Sequence, residues 1–321
     1  MHPQPALQTG FPSITPVDRT VADIPARPTV SPADLELPAA GLDLARAAAI
    51  YREHGALVIR GLFTRYMAEV RADIERSARQ ALQLMPQAEA VHEGWSTPDG
   101  TLFLPAPQGY DRDKQIMVLG CGYRTSGAMF RSALDDTMCD LAATLVGPDV
   151  ELFMDGQVLY KEPVGGHPKH LHQDSAYFEH RFDGPMAVLN YVVDTDLENG
   201  ALHVIPGSHR CGLIPHVDTF SHLGLDGAAW PWERALPICG KAGDAIIFHV
   251  HTIHGSQVNR SRASRPVCIH RYRNAQDYVV VGATSTKKRK DAESAEARAA
   301  AGRSRWQQRG MMVRGFRPFT E

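Results

Sequence analysis

The chain has 321 residues, 43% of them hydrophobic and 22% charged, a composition typical of a globular protein and not of a disordered or collagen-like one. Its 34 Lys and Arg residues nearly balance 36 Asp and Glu residues, so no overall basic field points to nucleic acid. No apolar run approaches the roughly 18 residues of a membrane span, and the N-terminus lacks a secretory-signal pattern. These features predict a cytoplasmic protein with no membrane span and no nucleic-acid partner.

The N-terminal third of the chain predicts an extended arm followed by helices. Residues 1–40 are rich in proline, which excludes regular helix there. Residues 43–54 have apolar side chains on one helical face and end before a glycine, and residues 56–63 then have strand character. Further amphipathic helices are predicted over residues 65–84 and 133–145. The five scattered cysteines, without a CxxC pair, predict reduced thiols.

From residue 151 onward, short runs of β-branched and aromatic residues alternate with turn signals. The predicted strands are residues 157–161, 186–194, 201–205, 245–251 and 267–272, with 278–281 as a possible further one. Helices followed by strands of similar length favour an α+β protein with a sandwich or barrel over alternating βαβ units. The expected organisation is the N-terminal arm, a single domain over residues 41–284, and a basic C-terminal tail or lid over 285–321.

Two histidines and a carboxylate carry the main chemical signal. His172 and Asp174 lie two positions apart, which on a strand places both side chains on one face, and His254 supplies a second imidazole. Two imidazoles and a carboxylate occupy one face of an octahedral ion and leave open positions, as in Fe(II) enzymes that bind a cosubstrate and oxygen together. A lone HxD pair is a weak signal, and His249 and His251 permit a different trio.

Arg265 follows His254 by eleven residues, with Ser256 between them. If His254 ends one strand and Arg265 begins the next, a hairpin returns the guanidinium toward the metal. There it could grip the distal carboxylate of a keto acid, and the Ser256 hydroxyl could add a hydrogen bond. Spacing alone leaves open a surface arginine in a loop that also contains Arg260 and Arg262.

Three segments together resemble the phytanoyl-CoA dioxygenase family of Fe(II)/2-oxoglutarate-dependent oxygenases. The segments are LYKEPVGGHPKHLHQDSAYFEHR, ENGALHVIPGSHR and GDAIIFHVHTIHGSQVNRSRASRPVCIHRY. The resemblance covers roughly residues 150–275, and the helix-glycine-strand pattern at 43–62 is also similar. It implies a double-stranded β-helix, a jelly-roll barrel whose mouth holds the metal, with the N-terminal helices packed on one sheet.

The resemblance also implies ligands for a metal and a cosubstrate. His172, Asp174 and His254 are the implied Fe(II) ligands, and Arg265 and Ser256 are implied to bind the carboxylate of 2-oxoglutarate. O2 is the second cosubstrate. The implied enzyme is a 2-oxoglutarate-dependent dioxygenase, and the domain between the arm and the tail is its catalytic domain.

Four further residues are candidates for the pocket. The resemblance places Gln157 and Lys161 beside the cosubstrate or the substrate. Tyr177 and Phe178 follow the HxD motif and are expected to contact the substrate, with an aromatic core or rim as the alternative. Asp174 stands where halogenases of the superfamily have a small residue that admits chloride, so oxygen insertion is expected instead of halogenation.

The expected reaction is hydroxylation of an unactivated C–H bond of a small molecule, a secondary metabolite or an acyl-CoA-type compound, with decarboxylation of 2-oxoglutarate to succinate. The same iron site could instead direct desaturation, epoxidation or ring formation. Two competing hypotheses are a metal-retaining jelly-roll binding protein without catalysis and a zinc hydrolase. The basic run Lys287–Lys290 suits either the phosphates of a CoA-type substrate or a solvated tail.

Overall fold

The computed structural model describes residues 23–91, 94–182, 184–219, 222–279 and 309–317. The α-helices are α1 (Leu44–His54), α2 (Met67–Leu84), α3 (Gly127–Ala133) and α4 (Asp136–Val146). The strands of the first half are β1 (Glu36–Pro38), β2 (Ala56–Arg60), β3 (Glu89–Val91), β4 (Gly94–Ser96), β5 (Leu102–Pro105), β6 (Lys114–Leu119), β7 (Val150–Leu152) and β8 (Gln157–Lys161). The later strands are β9 (Lys169–His172), β10 (Met186–Tyr191), β11 (Leu202–Val204), β12 (Val217–Thr219), β13 (His222–Gly224), β14 (Leu236–Ile238), β15 (Ala245–Phe248), β16 (His254–Ser256), β17 (Arg265–Asn274) and β18 (Met311–Arg314).

The predicted helix-glycine-strand unit is confirmed as α1 and β2. The Asp43 side chain caps α1 by accepting a hydrogen bond from the Arg46 backbone N–H at 3.0 Å. Gly55 ends the helix in a left-handed conformation with φ +69°, and a Cβ there would lie 2.3 Å from Nδ1 of His209. Both constraints favour glycine, so the chain can turn at this point directly into β2.

Two of the three sheets share one hydrophobic core. The larger sheet has the order β1-β2-β15-β10-β17-β8-β6-β5-β4-β3, with β7 paired to β17 and to β18, and the smaller sheet has the order β14-β11-β16-β9. Tyr191 of β10 links them, because its hydroxyl donates to the Ile238 carbonyl of β14 and accepts from the Leu202 N–H of β11. On the other face of the larger sheet, the Tyr272 hydroxyl donates to the Ala133 carbonyl of α3 at 2.8 Å.

The α+β prediction is confirmed, with corrections to the order and bounds of the elements. Strands β3 to β6 lie between α2 and α3, so strands begin well before residue 151. The helix predicted over 133–145 is α4, which starts at Asp136 because the Asp135 side chain accepts from the Met138 N–H at 3.1 Å and caps it. Strands β10 and β15 end earlier than predicted, at Tyr191 and Phe248, while β17 is longer.

Short strands lie in both segments that were predicted to be extended. In the N-terminal arm β1 pairs in parallel with β2, and in the C-terminal tail β18 pairs antiparallel with β7. The basic run Lys287–Lys290 and the end of the possible strand at 278–281 fall outside the described residues. Among the helices described, none has both the length and the apolar composition required to cross a membrane.

Candidate metal centre

The smaller sheet places the two predicted histidines side by side. His172 ends β9 and His254 begins β16, and the two residues are directly paired across these antiparallel strands. The sequence predicted that Asp174 shares this strand with His172, which is wrong: Asp174 begins a 3-10 helix just after the strand. Its Oδ1 still lies 3.8 Å from Nε2 of His172 and 3.7 Å from Nε2 of His254. One ligand atom from each residue lies within 4.8 Å of the other two, and all three side chains are buried.

Both imidazoles are oriented for metal binding by the backbone. Nδ1 of His172 lies 2.7 Å from the His170 carbonyl, and Nδ1 of His254 lies 2.9 Å from the Thr252 carbonyl. A carbonyl only accepts, so each Nδ1 carries the proton and each Nε2 presents a lone pair toward Asp174. Burial lowers the pKa of both histidines, which favours the neutral form that binds metals. This donor set fits a divalent ion such as Fe(II).

Gln173, the residue between the ligands His172 and Asp174, is fully buried and is held by hydrogen bonds. Its side-chain NH2 donates to the carbonyls of Gly212 and His251, each at 2.7 Å, and its Oε1 accepts from the Ile214 N–H at 2.8 Å. Its backbone N–H donates to Nε2 of His216 at 3.0 Å. Since its hydrogen-bonding groups are satisfied, this residue fixes the position from which Asp174 leaves the strand.

Arg265 reaches the interior by a different connection from the predicted hairpin. His254 begins a strand of the smaller sheet and Arg265 begins a strand of the larger one, so the intervening loop crosses between sheets. The Arg265 side chain is 2% exposed, and its Nη2 donates to the Gly200 carbonyl. Its Nε has no hydrogen-bond partner among the described residues, and burial lowers its pKa to about 10.

A buried lysine, Lys161, and a partly buried one, Lys169, accompany this arginine. Lys161 lies directly opposite Arg265 in the β8–β17 pairing, and its ammonium donates to the carbonyls of His167 and Gln257. Burial is the main cause that lowers the pKa of Lys161 and that lowers the pKa of Lys169 to about 8. In the part of the chain that is described, none of the three cations forms an ion pair with a carboxylate. Such a cluster is suited to an anionic ligand.

Ser256 lies on the same strand as a metal-site histidine. It belongs to β16, two residues after His254, and is 6% exposed. The pairing of β16 with β9 shifts register, so that Ser256 is opposite Lys169 while His254 is opposite His172. This bulge puts Lys169 and His172, three residues apart, on one face, which simple alternation does not predict. Lys169 was therefore missed in the sequence.

Arg271 is a second residue that the sequence reasoning missed. Its Nε lies 3.8 Å from Oδ2 of Asp174, and its Nη2 donates to Oε1 of Gln157 at 3.1 Å. Its Cζ lies 5.7 Å from the centre of the Phe178 ring. A usable signal was present, because residues six apart on one strand share a face, and Arg265 had already been placed inward.

The two aromatic candidates lie next to this centre. The Tyr177 ring meets His172 edge-on with 6.1 Å between centroids, and its hydroxyl accepts from the Leu223 N–H at 2.9 Å. Phe178 packs edge-on against Phe153 at 5.5 Å. Tyr177 is 39% exposed, so it belongs to the rim of the site. The substrate contacts of both residues stay predictions.

Comparison with known proteins extends this description. A family model described as phytanoyl-CoA dioxygenase matches residues 51–267. A probable alpha-ketoglutarate-dependent hypophosphite dioxygenase of Stutzerimonas stutzeri is 29% identical over 155 residues, which are 46% of this chain and 53% of that protein. The peroxisomal phytanoyl-CoA dioxygenase of Rattus norvegicus is 26% identical over 251 residues, which are 73% of this chain and 70% of the relative.

A solved structure shares the fold. The epimerase SnoN, crystallised with Fe3+, alpha ketoglutarate and nogalamycin RO, has a TM-score of 0.53 and 23% identity, over 74% of this chain and 85% of its own. The chain spans about half the length of the hypophosphite relative. The family match covers more than half of the chain and includes the predicted metal and cosubstrate residues, from His172 to Arg265. The chain therefore belongs to the phytanoyl-CoA dioxygenase family.

Proposed function

We propose that the protein is an Fe(II)/2-oxoglutarate-dependent dioxygenase that hydroxylates an unactivated C–H bond of a small molecule. The observation that carries the proposal is the buried trio of His172, Asp174 and His254, with both Nε2 lone pairs directed at the carboxylate. The names of the Stutzerimonas relative and of the SnoN structure, which mention alpha-ketoglutarate, support the cosubstrate. The domain over residues 41–284 is then a catalytic double-stranded β-helix formed by the two facing sheets.

The metal and its cosubstrates supply the oxidising power when bound: one atom of O2 enters the product alcohol, and the other enters succinate as 2-oxoglutarate loses carbon dioxide. The protein's own residues hold and orient these groups. His172, Asp174 and His254 would hold the ion and leave coordination positions for the keto acid and O2. Arg265 and Ser256 bind the distal carboxylate of the keto acid, with Lys161 contributing positive charge nearby.

Several reaction outcomes are compatible with this donor set, and SnoN itself is named an epimerase. Because Asp174 completes the ligand set and leaves no position for a halide, we propose oxygen insertion instead of halogenation, with hydroxylation as its form. Hydroxylation and alkene epoxidation each add one oxygen to the substrate, whereas desaturation and ring formation each remove two hydrogens. Mass spectrometry of the product therefore separates these two groups once turnover is found, and NMR of the product separates the members of each group.

Anaerobic titration with Fe(II) and then 2-oxoglutarate tests the proposal, with visible absorption as the readout. We expect a weak metal-to-ligand charge-transfer band that is lost in His254→Ala and, at modest 2-oxoglutarate, in Arg265→Ala. Arg262→Ala, a substitution of an exposed arginine near Arg265, is the matched control and should retain the band. In turnover assays, Asp174→Ala should form no succinate while remaining folded.

Three results would contradict the proposal. Full activity of Asp174→Ala would remove the metal assignment, and turnover with zinc in the absence of oxygen would indicate a hydrolase. Binding of iron and 2-oxoglutarate without substrate-dependent succinate release, across a broad panel of compounds, would favour the non-catalytic binding protein.

A further inference from the structure

Arg271 and Gln157 form a pair of hydrogen-bond donors beside the proposed metal centre. Arg271 is 8% exposed, and its Nη2 donates to Oε1 of Gln157. Since that oxygen accepts, the side-chain NH2 of Gln157 keeps its two N–H groups available. Nε of Arg271 is buried and has no hydrogen-bond partner among the described residues, because Oδ2 of Asp174 at 3.8 Å is too distant for one.

The charge of Arg271 has no dedicated partner within the described part of the protein. Its one carboxylate neighbour within ion-pair distance is Asp174, which a bound metal would share. Glu151 and Glu162, which are also buried, are each engaged by another arginine. A buried cation that shares its one carboxylate neighbour with a metal is costly, so an anionic ligand at this position would be favoured.

The positive charge at the centre exceeds what the cosubstrate neutralises. Arg265, Lys161 and Lys169 surround one end of the interior and Arg271 the other, against the single carboxylate of Asp174. Even with both lysines neutral, the two arginines and a divalent ion exceed Asp174 and a dianionic keto acid by one positive charge. A second anion restores the balance.

The cosubstrate alone does not neutralise this charge. Arg265 and Arg271 are six residues apart on β17, so their Cα atoms are about 20 Å apart at the usual rise of a strand. Both carboxylates of the keto acid are already counted in the balance, with the distal one assigned to Arg265. The positive charge that remains calls for a separate anion, and Arg271 is a buried cation at this centre whose Nε has no hydrogen-bond partner among the described residues.

We propose that Arg271 and Gln157 bind the oxyanion group of the substrate, a carboxylate or a phosphonate. The substrate is then a small organic anion whose charged end lies beside Asp174 and whose oxidised carbon faces the open side of the metal. This inference rests on the proposed dioxygenase function. Phe178, 5.7 Å from the guanidinium, covers one side of the anion site.

Calorimetric titration of the protein loaded with Fe(II) and saturating 2-oxoglutarate, without oxygen, tests the inference with acetate, methylphosphonate and neutral acetamide as probes. We expect saturable binding of one or both anions and none of acetamide. Arg271→Met should weaken anion binding by about tenfold or more, equivalent to about 1.4 kcal/mol. The dissociation constant of 2-oxoglutarate should change less than twofold. Arg181→Met, which changes an exposed arginine, is the matched control and should bind the anions like the wild type.

The outcomes separate this inference from the proposed function. A wild-type protein that shows the charge-transfer band but binds acetamide as tightly as the anions, or binds neither anion, contradicts the substrate site alone. This comparison needs no variant and holds if Arg271→Met fails to fold. A tenfold loss of 2-oxoglutarate affinity in Arg271→Met would instead assign Arg271 to the cosubstrate and overturn the proposal. Absence of the band in the wild type contradicts the dioxygenase function itself.

Discussion

Two buried arginines on the same strand have opposite electrostatic surroundings. Nε of Arg273 donates to Oε1 of Glu151 at 2.6 Å, and both side chains are 1% exposed. The other oxygen of Glu151 accepts from the Gly310 N–H at 2.9 Å and from Arg317. Arg265, eight residues earlier on β17, is equally buried but has only the Gly200 carbonyl as a hydrogen-bond acceptor among the described residues.

The comparison distinguishes a structural charge from one that awaits a ligand. Arg273 and Arg317 are balanced within the chain by Glu151 and by the nearby buried carboxylate of Asp277, and these four residues form the Glu151 cluster. Glu151 also ties β17, β7 and the C-terminal strand together. The end of the interior around Arg265 and Lys161 carries positive charge without a carboxylate. Because a buried ion costs several kcal/mol unless it is paired, the first arrangement stabilises the fold and the second stabilises a bound anion.

The largest expected effect is a loss of stability when the Glu151 cluster is disrupted. Glu151→Gln removes the carboxylate that both Arg273 and Arg317 contact, and it leaves Asp277 as the counter-charge near Arg273. The free energy of unfolding should therefore fall by about 3–5 kcal/mol. Urea denaturation followed by circular dichroism measures the change. Protease sensitivity of the C-terminal segment should rise in parallel, because Glu151 also holds the Gly310 backbone N–H.

A matched carboxylate is available on α4. Asp140 accepts from Nε of Arg314 in β18 at 2.8 Å, but its side chain is 57% exposed. Asp140→Asn should therefore lower the free energy of unfolding by at most about 1 kcal/mol. Equal losses in Glu151→Gln and Asp140→Asn would show that burial of the first pair does not matter, and the contrast with Arg265 would lose its basis.

At the end of the interior around Arg265, substitution should weaken ligand binding and should not lower the stability of the ligand-free protein. Arg265→Met removes a partly satisfied buried cation, so the ligand-free protein should be as stable as the wild type or more stable. With Fe(II) present and 2-oxoglutarate at 100 times its wild-type dissociation constant, the free energy of unfolding of the wild type should rise by about 2.7 kcal/mol. A variant with at least tenfold weaker binding should gain about 1.4 kcal/mol or less. Chemical denaturation with and without the cosubstrate measures both quantities.

The exposed residue Arg262 again provides the control. 2-Oxoglutarate should raise the free energy of unfolding of Arg262→Met as much as that of the wild type, because Arg262 is exposed. If Arg265→Met lowers the stability of the ligand-free protein as strongly as Glu151→Gln does, Arg265 is a structural residue. The same gain from 2-oxoglutarate in Arg265→Met and wild type would exclude Arg265 from the cosubstrate site.

The features of the fold that were predicted from sequence are those set by local patterns. Asp43 and Gly55 mark the ends of α1, and β-branched runs mark β8, β10 and β15, so these elements were found with small errors at their ends. Strands β3 and β4 were missed because each has only three residues and none of these residues is buried. The pairing of β18 with β7 depends on contacts across the whole chain, which a local pattern does not carry.

The metal trio was predictable and its surroundings were only partly so. The spacing of His172 and Asp174 was correct although the strand ends between them, since a 3-10 turn brings the carboxylate back to the same side. Lys169 was hidden by the bulge in β9. Arg271 and Arg273 share the inward parity of Arg265, but their different roles depend on which carboxylates the fold brings to each, and sequence spacing does not give that.

The effect that is smallest at neutral pH is a pH dependence of stability at the Glu151 cluster, where His180 lies against Arg273. Nε2 of His180 accepts from Nη1 of Arg273 at 3.0 Å, and burial, reinforced by the arginine charge, lowers the histidine pKa to about 3. The unfolded chain, with a pKa near 6.5, binds this proton more readily, so the contribution is complete above pH 6.5 and is lost as the pH falls toward 3. In the metal-free protein, His180→Gln should lower the slope of stability against pH below 6.5 by up to about 1.4 kcal/mol per pH unit. Parallel curves for the two proteins in chelator-containing buffer would show that His180 can take up a proton beside Arg273 at no cost, which would contradict the view that this end of the interior is buried and holds no further acceptor for positive charge.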